Sequence, residues 1–150
     1  QIGSGTWDLE PGITYRDQNS GFGWGAQVRG TIRLGTNDEG YSFGDKAMAT
    51  IWGAAAITPA VSISGRLQAE TMGRVDGMDP LIMGPVQTAN PDLQCGETRT
   101  ACAGVNFAAT GGGLKGWRLG VEGGIPVVQD LNGPQMPTDF TLTVGVQKSF

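Results

Sequence analysis

The segment Thr138–Phe150, TDFTLTVGVQKSF, alternates between apolar and polar side chains along most of its length. Successive side chains of a β-strand point to opposite faces of the sheet. The apolar face of this strand would carry Phe140, Leu142, Val144, Val146, Lys148 and Phe150, and the polar face Thr141, Thr143, Gly145, Gln147 and Ser149. The segment therefore predicts a strand with one apolar and one polar side, with an aromatic residue as its last member.

The same alternation recurs in six further segments, less cleanly in Tyr41–Ile57 and Thr100–Ala109 than in the others. The six segments are Thr6–Arg16, Phe22–Leu34, Tyr41–Ile57, Val61–Arg74, Thr100–Ala109 and Leu114–Val128. Most of these strands are long, whereas strands of soluble proteins usually have about 5–6 residues. A tilted strand needs about 9–11 residues to cross a bilayer. The pattern predicts an all-β protein: an antiparallel transmembrane β-barrel region of about seven strands that covers residues 1–150.

The connections between the predicted strands differ in length at the two ends of the sheet. Residues 17–21, 57–60 and 110–116 form short turns at one end, whereas Asp76–Arg99 forms a long loop at the other. Barrels of the bacterial outer membrane have short periplasmic turns and long extracellular loops. We therefore expect a Gram-negative outer-membrane location, with Phe150 in the aromatic girdle at the periplasmic rim.

Single-chain bacterial barrels have an even number of strands, and seven is odd. In this topology the first strand also runs towards the periplasm, whereas such barrels begin there. We therefore expect the chain to be the C-terminal part of a larger barrel that lacks N-terminal strands. Pro11 would lie on the exposed edge strand, and Pro126 indicates a bulge, because proline cannot donate a hydrogen bond to a central ladder.

Composition excludes several functions. The net charge is −4, so the chain has no basic footprint for nucleic acid. Histidine is absent, which removes the usual general base and the commonest metal ligand. No segment reaches the roughly 20 apolar residues of a membrane helix. We expect no catalysis, no metal and no cofactor.

Charged side chains recur on the polar faces of the predicted strands. They are Asp8, Glu10, Arg16, Arg29, Arg33, Lys46, Arg66, Glu70, Arg74, Arg118 and Glu122. Two interpretations stay open: these residues line a pore that selects solutes, or they form ion pairs that fill and brace the interior. Arg66 with Glu70, and Arg118 with Glu122, are same-face neighbours that fit either interpretation.

Cys95 and Cys102 lie seven positions apart in a polar segment, without a companion cysteine or histidine for a zinc site. A close pair in such a segment predicts a local disulfide in an oxidising compartment, and the alternative is two free thiols. The long loop also contains the apolar patch Leu81–Met83, which we expect to tuck into the barrel mouth.

Several stretches resemble a known family. They are GSGTWDLEPGITY (Gly3–Tyr15), GWGAQVRGTIRLG (23–35), GDKAMATIWGA (44–54) and LKGWRLGVEGGIPVVQDLNGPQMPTDFTLTVGVQKSF (114–150). These stretches resemble outer-membrane proteins of the meta-pathway phenol-degradation family, which are often called transporters. The resemblance implies uptake of small organic solutes and no catalytic residues. The terminal Phe resembles that of proteins handled by the outer-membrane barrel assembly machinery, which would be a partner together with membrane lipid.

A soluble alternative has the same alternation. A secreted or periplasmic β-barrel with a binding or structural role would place its apolar rows inside and its charged rows in solvent. Strand length, loop asymmetry and the terminal Phe favour the membrane protein.

Overall fold

The computed structural model describes residues 3–82, 84 and 86–149, and in that part of the chain the architecture is all-β. The main sheet consists of β1 (Trp7–Leu9), β2 (Gly12–Gln18), β3 (Phe22–Leu34), β5 (Lys46–Ala56), β6 (Val61–Met72), β8 (Gly96–Ala108), β9 (Trp117–Leu131) and β10 (Thr141–Lys148). Two short strands, β4 (Tyr41–Ser42) and β7 (Asp76–Gly77), pair separately. The predicted fold class, an antiparallel sheet that forms part of a β-barrel, is confirmed.

Strands β1 and β2 form the first predicted strand, which proline interrupts. The amide of Gly30 donates to the Pro11 carbonyl oxygen at 2.9 Å, but Pro11 has no N–H to return the bond. The register against β3 does not slip, since Leu9 pairs with Ile32 and Gly12 with Arg29. The sheet thus has seven strands, counting β1 and β2 as one.

The strands follow one another in chain order, each antiparallel to its neighbour, from β1 and β2 to β10. As predicted, the first and last strands are the two edges, and neither has a further partner within the described residues. Because six antiparallel pairings separate them, the two edge strands run in the same direction. They cannot close the sheet on themselves by an antiparallel pairing.

The sheet curls into a half-barrel. At one end, strands are joined by residues 19–21, 57–60 and 109–116; at the other, by 35–45, 73–95 and 132–140. The first set has three, four and eight residues and the second eleven, twenty-three and nine. These ends are called the short-turn end and the long-connection end below.

The three long connections are joined to one another. Strand β4 pairs with β7, which ties residues 35–45 to 73–95. Gln135 Nε2 donates to the carbonyl oxygens of Leu93 at 3.1 Å and Cys95 at 2.7 Å, which ties 132–140 to the same connection. Leu81 is 79% exposed, so the prediction that its patch tucks into the mouth is wrong for this residue, and Met83 lies outside the described residues.

The predicted bulge at Pro126 is confirmed. The register between β8 and β9 shifts between Arg99 and Thr100, which pair with Val128 and Pro126 respectively, so that Val127 is the extra residue. The shift accommodates a residue that cannot donate to the ladder.

Strand β8 begins earlier than predicted, at Gly96 rather than Thr100, because Gly96 and Glu97 pair with Met72 and Thr71 of β6. The segment that was expected to end a loop at Arg99 is therefore partly strand.

Candidate functional site

The register aligns the polar positions of all seven strands on one face. Directly paired residues of neighbouring strands lie on the same side of a sheet. One row across the sheet runs Arg16, Gly25, Trp52, Arg66, Cys102, Gly124 and Thr141. The side that carries this row is called the polar face, and the opposite side the apolar face.

Nine charged residues that the sequence predicts as candidate lining residues lie on the polar face. They are Asp8, Glu10, Arg29, Arg33, Lys46, Arg66, Glu70, Arg118 and Glu122. Arg16 joins them through its pairing with Gly25. Arg74 does not: it lies beyond the end of β6 and contacts Asp92 at 3.3 Å in the long connection. Its predicted place on the polar face is wrong because β6 ends two residues before it, at Met72.

Ion pairs on the polar face link neighbouring and alternate strands. Arg33 pairs with Asp8 across β3 and β1, and Lys46 Nζ lies 3.8 Å from Glu70 Oε1 across β5 and β6. The Arg66 guanidinium pairs with the Glu122 carboxylate. These partners differ from the same-strand neighbours in the sequence, since Arg66 contacts Glu122 of β9 rather than Glu70 of β6.

Small residues make room for the Arg66–Glu122 pair. Gly104 of β8 pairs directly with Glu122, and a Cβ there would lie 2.8 Å from Ser64 Oγ and 3.4 Å from Glu122 Cβ. Arg66 Nη2 also lies 3.8 Å from the Cys102 sulfur. The arginine side chain thus passes over β8 to reach β9, which requires the sheet to curve toward the polar face.

Three arginines on the polar face have no carboxylate partner within the described residues. They are Arg16, Arg29 and Arg118, and each is exposed. The polar face therefore contains two kinds of charge. Some form ion pairs between strands, and three arginines are exposed without a carboxylate partner among the described residues.

Two adjoining cavities lie along the polar face. The larger, of about 840 Å³, is at the short-turn end and is lined by Arg16, Gln18, Trp52, Asn106, Arg118 and Gln147 among others. The smaller, of about 450 Å³, continues past Arg66 and Glu122. Polar-face residues of five strands line the smaller cavity together, which places the polar face on the concave side of the half-barrel.

Trp52 is a residue of the site that the sequence analysis did not single out. Its indole ring covers Gly25, where a Cβ would lie 2.8 Å from both the ring atom Cε2 and the Tyr15 carbonyl oxygen. Alternation places Trp52 on the polar side with Lys46 and Thr50, which is an unusual position for so large an apolar ring. A large apolar ring at a position on the polar face was the sequence feature that could have identified Trp52 as a site residue.

Large side chains of the apolar face are exposed on every long strand. Val144 and Val146 are 60% and 64% exposed, and Leu119 and Val121 are 40% and 37% exposed. No apolar side chain in the described part of the chain is buried; the buried side chains there with polar groups are Thr31, Asn37, Ser42 and Thr50. The four aliphatic residues thus lie opposite Arg118, Glu122, Thr141 and Thr143, as the alternation predicts.

Aromatic residues cluster on the apolar face near the short-turn end. The rings of Tyr15 and Trp24 lie 5.3 Å apart, and Lys148 Nζ lies 5.4 Å from the ring centroid of Trp117. Phe150, which was expected to join them, lies outside the described residues.

The predicted Cys95–Cys102 disulfide is wrong, since both cysteines are free thiols. Cys95 precedes β8, whereas Cys102 lies within it and pairs with Arg66. Seven residues of extended strand span about 23 Å, far beyond the distance of about 7 Å that a disulfide allows between Cα atoms. The error follows from treating the start of β8 as loop.

Comparisons with known proteins do not assign a family. No protein-family model, curated protein or solved structure matches the chain. The resemblance to the phenol-degradation family therefore stays a hypothesis. Within the described residues, no group of three or more potential metal-ligating side chains comes together, and no helix has the length and apolar character needed to cross a membrane.

Proposed function

We propose that this chain forms part of the wall of a bacterial outer-membrane β-barrel that passes small organic solutes and performs no catalysis. The observation that carries the proposal is the exposed apolar face opposite a charged concave face. The apolar face would contact lipid, and the polar face would line the lumen.

The exposure of the apolar rows is costly in water. Burying one large apolar side chain is worth about 1.5–3 kcal/mol, and soluble monomers rarely expose continuous apolar patches above a few hundred Å². Here Ile13, Ile51, Leu67, Ile125 and Leu142 are each more than half exposed, on five different strands. Lipid removes that cost, whereas a soluble barrel would need these rows on its concave side.

Strand dimensions support the same assignment. Strands β3, β5, β6, β8 and β9 have 13, 11, 12, 13 and 15 residues, against about 9–11 needed for a tilted transmembrane strand. The short-turn end would face the periplasm and the long-connection end the outside. The aromatic residues near the short-turn end would then lie in an interfacial girdle.

Further strands would close the barrel. The two free edges run in the same direction, so an antiparallel closure needs an odd number of additional strands between them. We propose that the complete protein supplies these strands, and that the outer-membrane barrel assembly machinery inserts it. Lipid and a small-molecule solute are then the partners of the mature barrel.

The polar face would serve both structural and conducting roles. The pair Arg33–Asp8 would brace neighbouring strands and the pair Arg66–Glu122 alternate strands, whereas Arg16, Arg29 and Arg118 would face the solute. We propose small organic molecules as the solute class because of the resemblance to the phenol-degradation family.

Reconstitution of the complete protein into planar bilayers tests the proposal. Discrete single-channel steps are expected in its presence, and none with the same detergent alone. A protein that stays soluble and folded without detergent and gives no conductance would instead support the secreted or periplasmic alternative.

A further inference from the structure

We infer that the cavity at the short-turn end binds small organic anions through Arg16 and Arg118. This inference rests on the proposed function only in assuming that the polar face is open to water. It names the class of solute that this face would select.

The cavity contains an uncompensated positive charge. Arg16 of β2 and Arg118 of β9 both line it, and neither has a carboxylate partner within the described residues. The one acidic residue in its lining, Asp17, pairs with Trp24 on the apolar side and accepts the Gln18 amide at 2.8 Å. The lining therefore contains two guanidinium groups and one carboxylate, and that carboxylate lies on the apolar side and pairs with neither arginine.

The positive surplus is local, because the chain as a whole has a net charge of −4. At the short-turn end, four basic residues (Arg16, Lys115, Arg118, Lys148) accompany one acidic residue of the described chain, Asp17. Around the long-connection end the balance is reversed: twelve acidic residues (Asp8, Glu10, Asp38, Glu39, Asp45, Glu70, Asp76, Asp79, Asp92, Glu97, Asp130, Asp139) accompany four basic ones (Arg33, Lys46, Arg74, Arg99). An anion is therefore attracted to the concave face at the short-turn end and repelled from the opposite rim.

The remaining lining suits an organic anion. Gln18, Asn106 and Gln147 supply amide donors, and Trp52 supplies an apolar surface. Guanidinium groups bind carboxylates through paired, charge-assisted hydrogen bonds. The volume of about 840 Å³ lies within the range of about 300–1,000 Å³ typical of small-molecule sites. A small carboxylate with an apolar tail matches all three features.

The site is tested by calorimetric titration of the complete protein in detergent with hexanoate and hexylammonium, which share a tail and differ in charge. Hexanoate should bind, and hexylammonium should not. The double variant R16Q/R118Q should weaken hexanoate binding by about tenfold or more, since both charge-assisted contacts are lost. R16K/R118K keeps the charge and should retain part of the affinity, which provides a second variant if the first does not fold.

Lys115→Gln is the matched control, because it removes one positive charge at the same end of the sheet from a residue outside the cavity lining. It should leave hexanoate binding unchanged. Equal binding of hexanoate and hexylammonium, no hexanoate binding, or unchanged binding in R16Q/R118Q would overturn the inference.

Bilayer recordings separate this inference from the proposed function. Conduction without any preference for hexanoate over hexylammonium overturns the anion site but not the channel. Hexanoate binding in detergent by a protein that never conducts overturns the channel but not the site.

Discussion

The Arg66 guanidinium of β6 pairs with the Glu122 carboxylate of β9, across the intervening strand β8. Side chains on alternate strands can meet in this way where a sheet is curved toward the face that carries them. The pair is only partly exposed, at 33% and 26% for the two side chains. It therefore joins β6 to β9 of the half-barrel wall across β8.

Breaking the pair should destabilise the sheet. Glu122→Gln leaves the Arg66 charge half-buried without its partner, and we expect a loss of about 1–2 kcal/mol in the free energy of unfolding. Arg66→Met should cost a similar amount, and the double variant should cost less than the sum of the two. Urea titration of all three variants measures this coupling, and strictly additive losses would show that the two side chains do not interact in the folded protein.

Gly25→Ala should destabilise by about 1–3 kcal/mol, because the added methyl group would contact the Trp52 ring and the Tyr15 carbonyl oxygen. Gly145→Ala is the matched control, since it lies on the same face in β10 with nothing within 4 Å of an added Cβ. Its effect on the free energy of unfolding should be within about 0.5 kcal/mol. Equal effects of the two substitutions would contradict the packing of Trp52 against β3.

Both cysteines should react with iodoacetamide in denatured protein that has never been reduced. The extended strand β8 separates Cys102 from Cys95, so neither thiol is protected by a bond to the other. Mass spectrometry should find two added carbamidomethyl groups per chain. If the carbamidomethyl groups appear only after treatment with a reductant, the two cysteines form a disulfide and this prediction is wrong.

Gln135→Ala should loosen the connection 132–140 at the long-connection end. The substitution removes the hydrogen bonds from Nε2 to the carbonyl oxygens of Leu93 and Cys95, each worth about 1 kcal/mol. Limited proteolysis should then cleave this connection several-fold faster, with little change in global stability. Met136→Ala is the control, because Met136 is 93% exposed; equal cleavage rates in the two variants would show that Gln135 does not hold the connection.

Strand faces could be predicted from sequence because the period of two is a local property. Phe22–Leu34 matches β3 at both ends, and its apolar and polar rows lie on the predicted sides. The bulge opposite Pro126 was also predictable, since a missing N–H must disturb a central ladder.

Other features depend on which strands meet, and alternation does not encode that. Glu97, Thr98, Arg99 and Thr100 are polar on both faces, so nothing in their pattern marks the start of β8; the pairing with β6 does. The same limit applies to the Arg66–Glu122 pair and the covering of Gly25 by Trp52, both of which follow from inter-strand register. The disulfide prediction was wrong for the same reason, because the pairing with β6 that makes the start of β8 a strand is not visible in the alternation.

The central claim is that the apolar face contacts lipid and the polar face contacts water, and strand β10 offers the most direct test. Nitroxide labels are placed one at a time at Thr141, Leu142, Thr143, Val144, Val146 and Gln147, in the complete protein with Cys95→Ser and Cys102→Ser, reconstituted in bilayers. Collision rates with oxygen, which concentrates in lipid, and with a water-soluble nickel complex are measured at each label. We expect high oxygen accessibility at Leu142, Val144 and Val146 and high nickel accessibility at Thr141, Thr143 and Gln147. The opposite assignment, or accessibility without a period of two, would contradict the central claim.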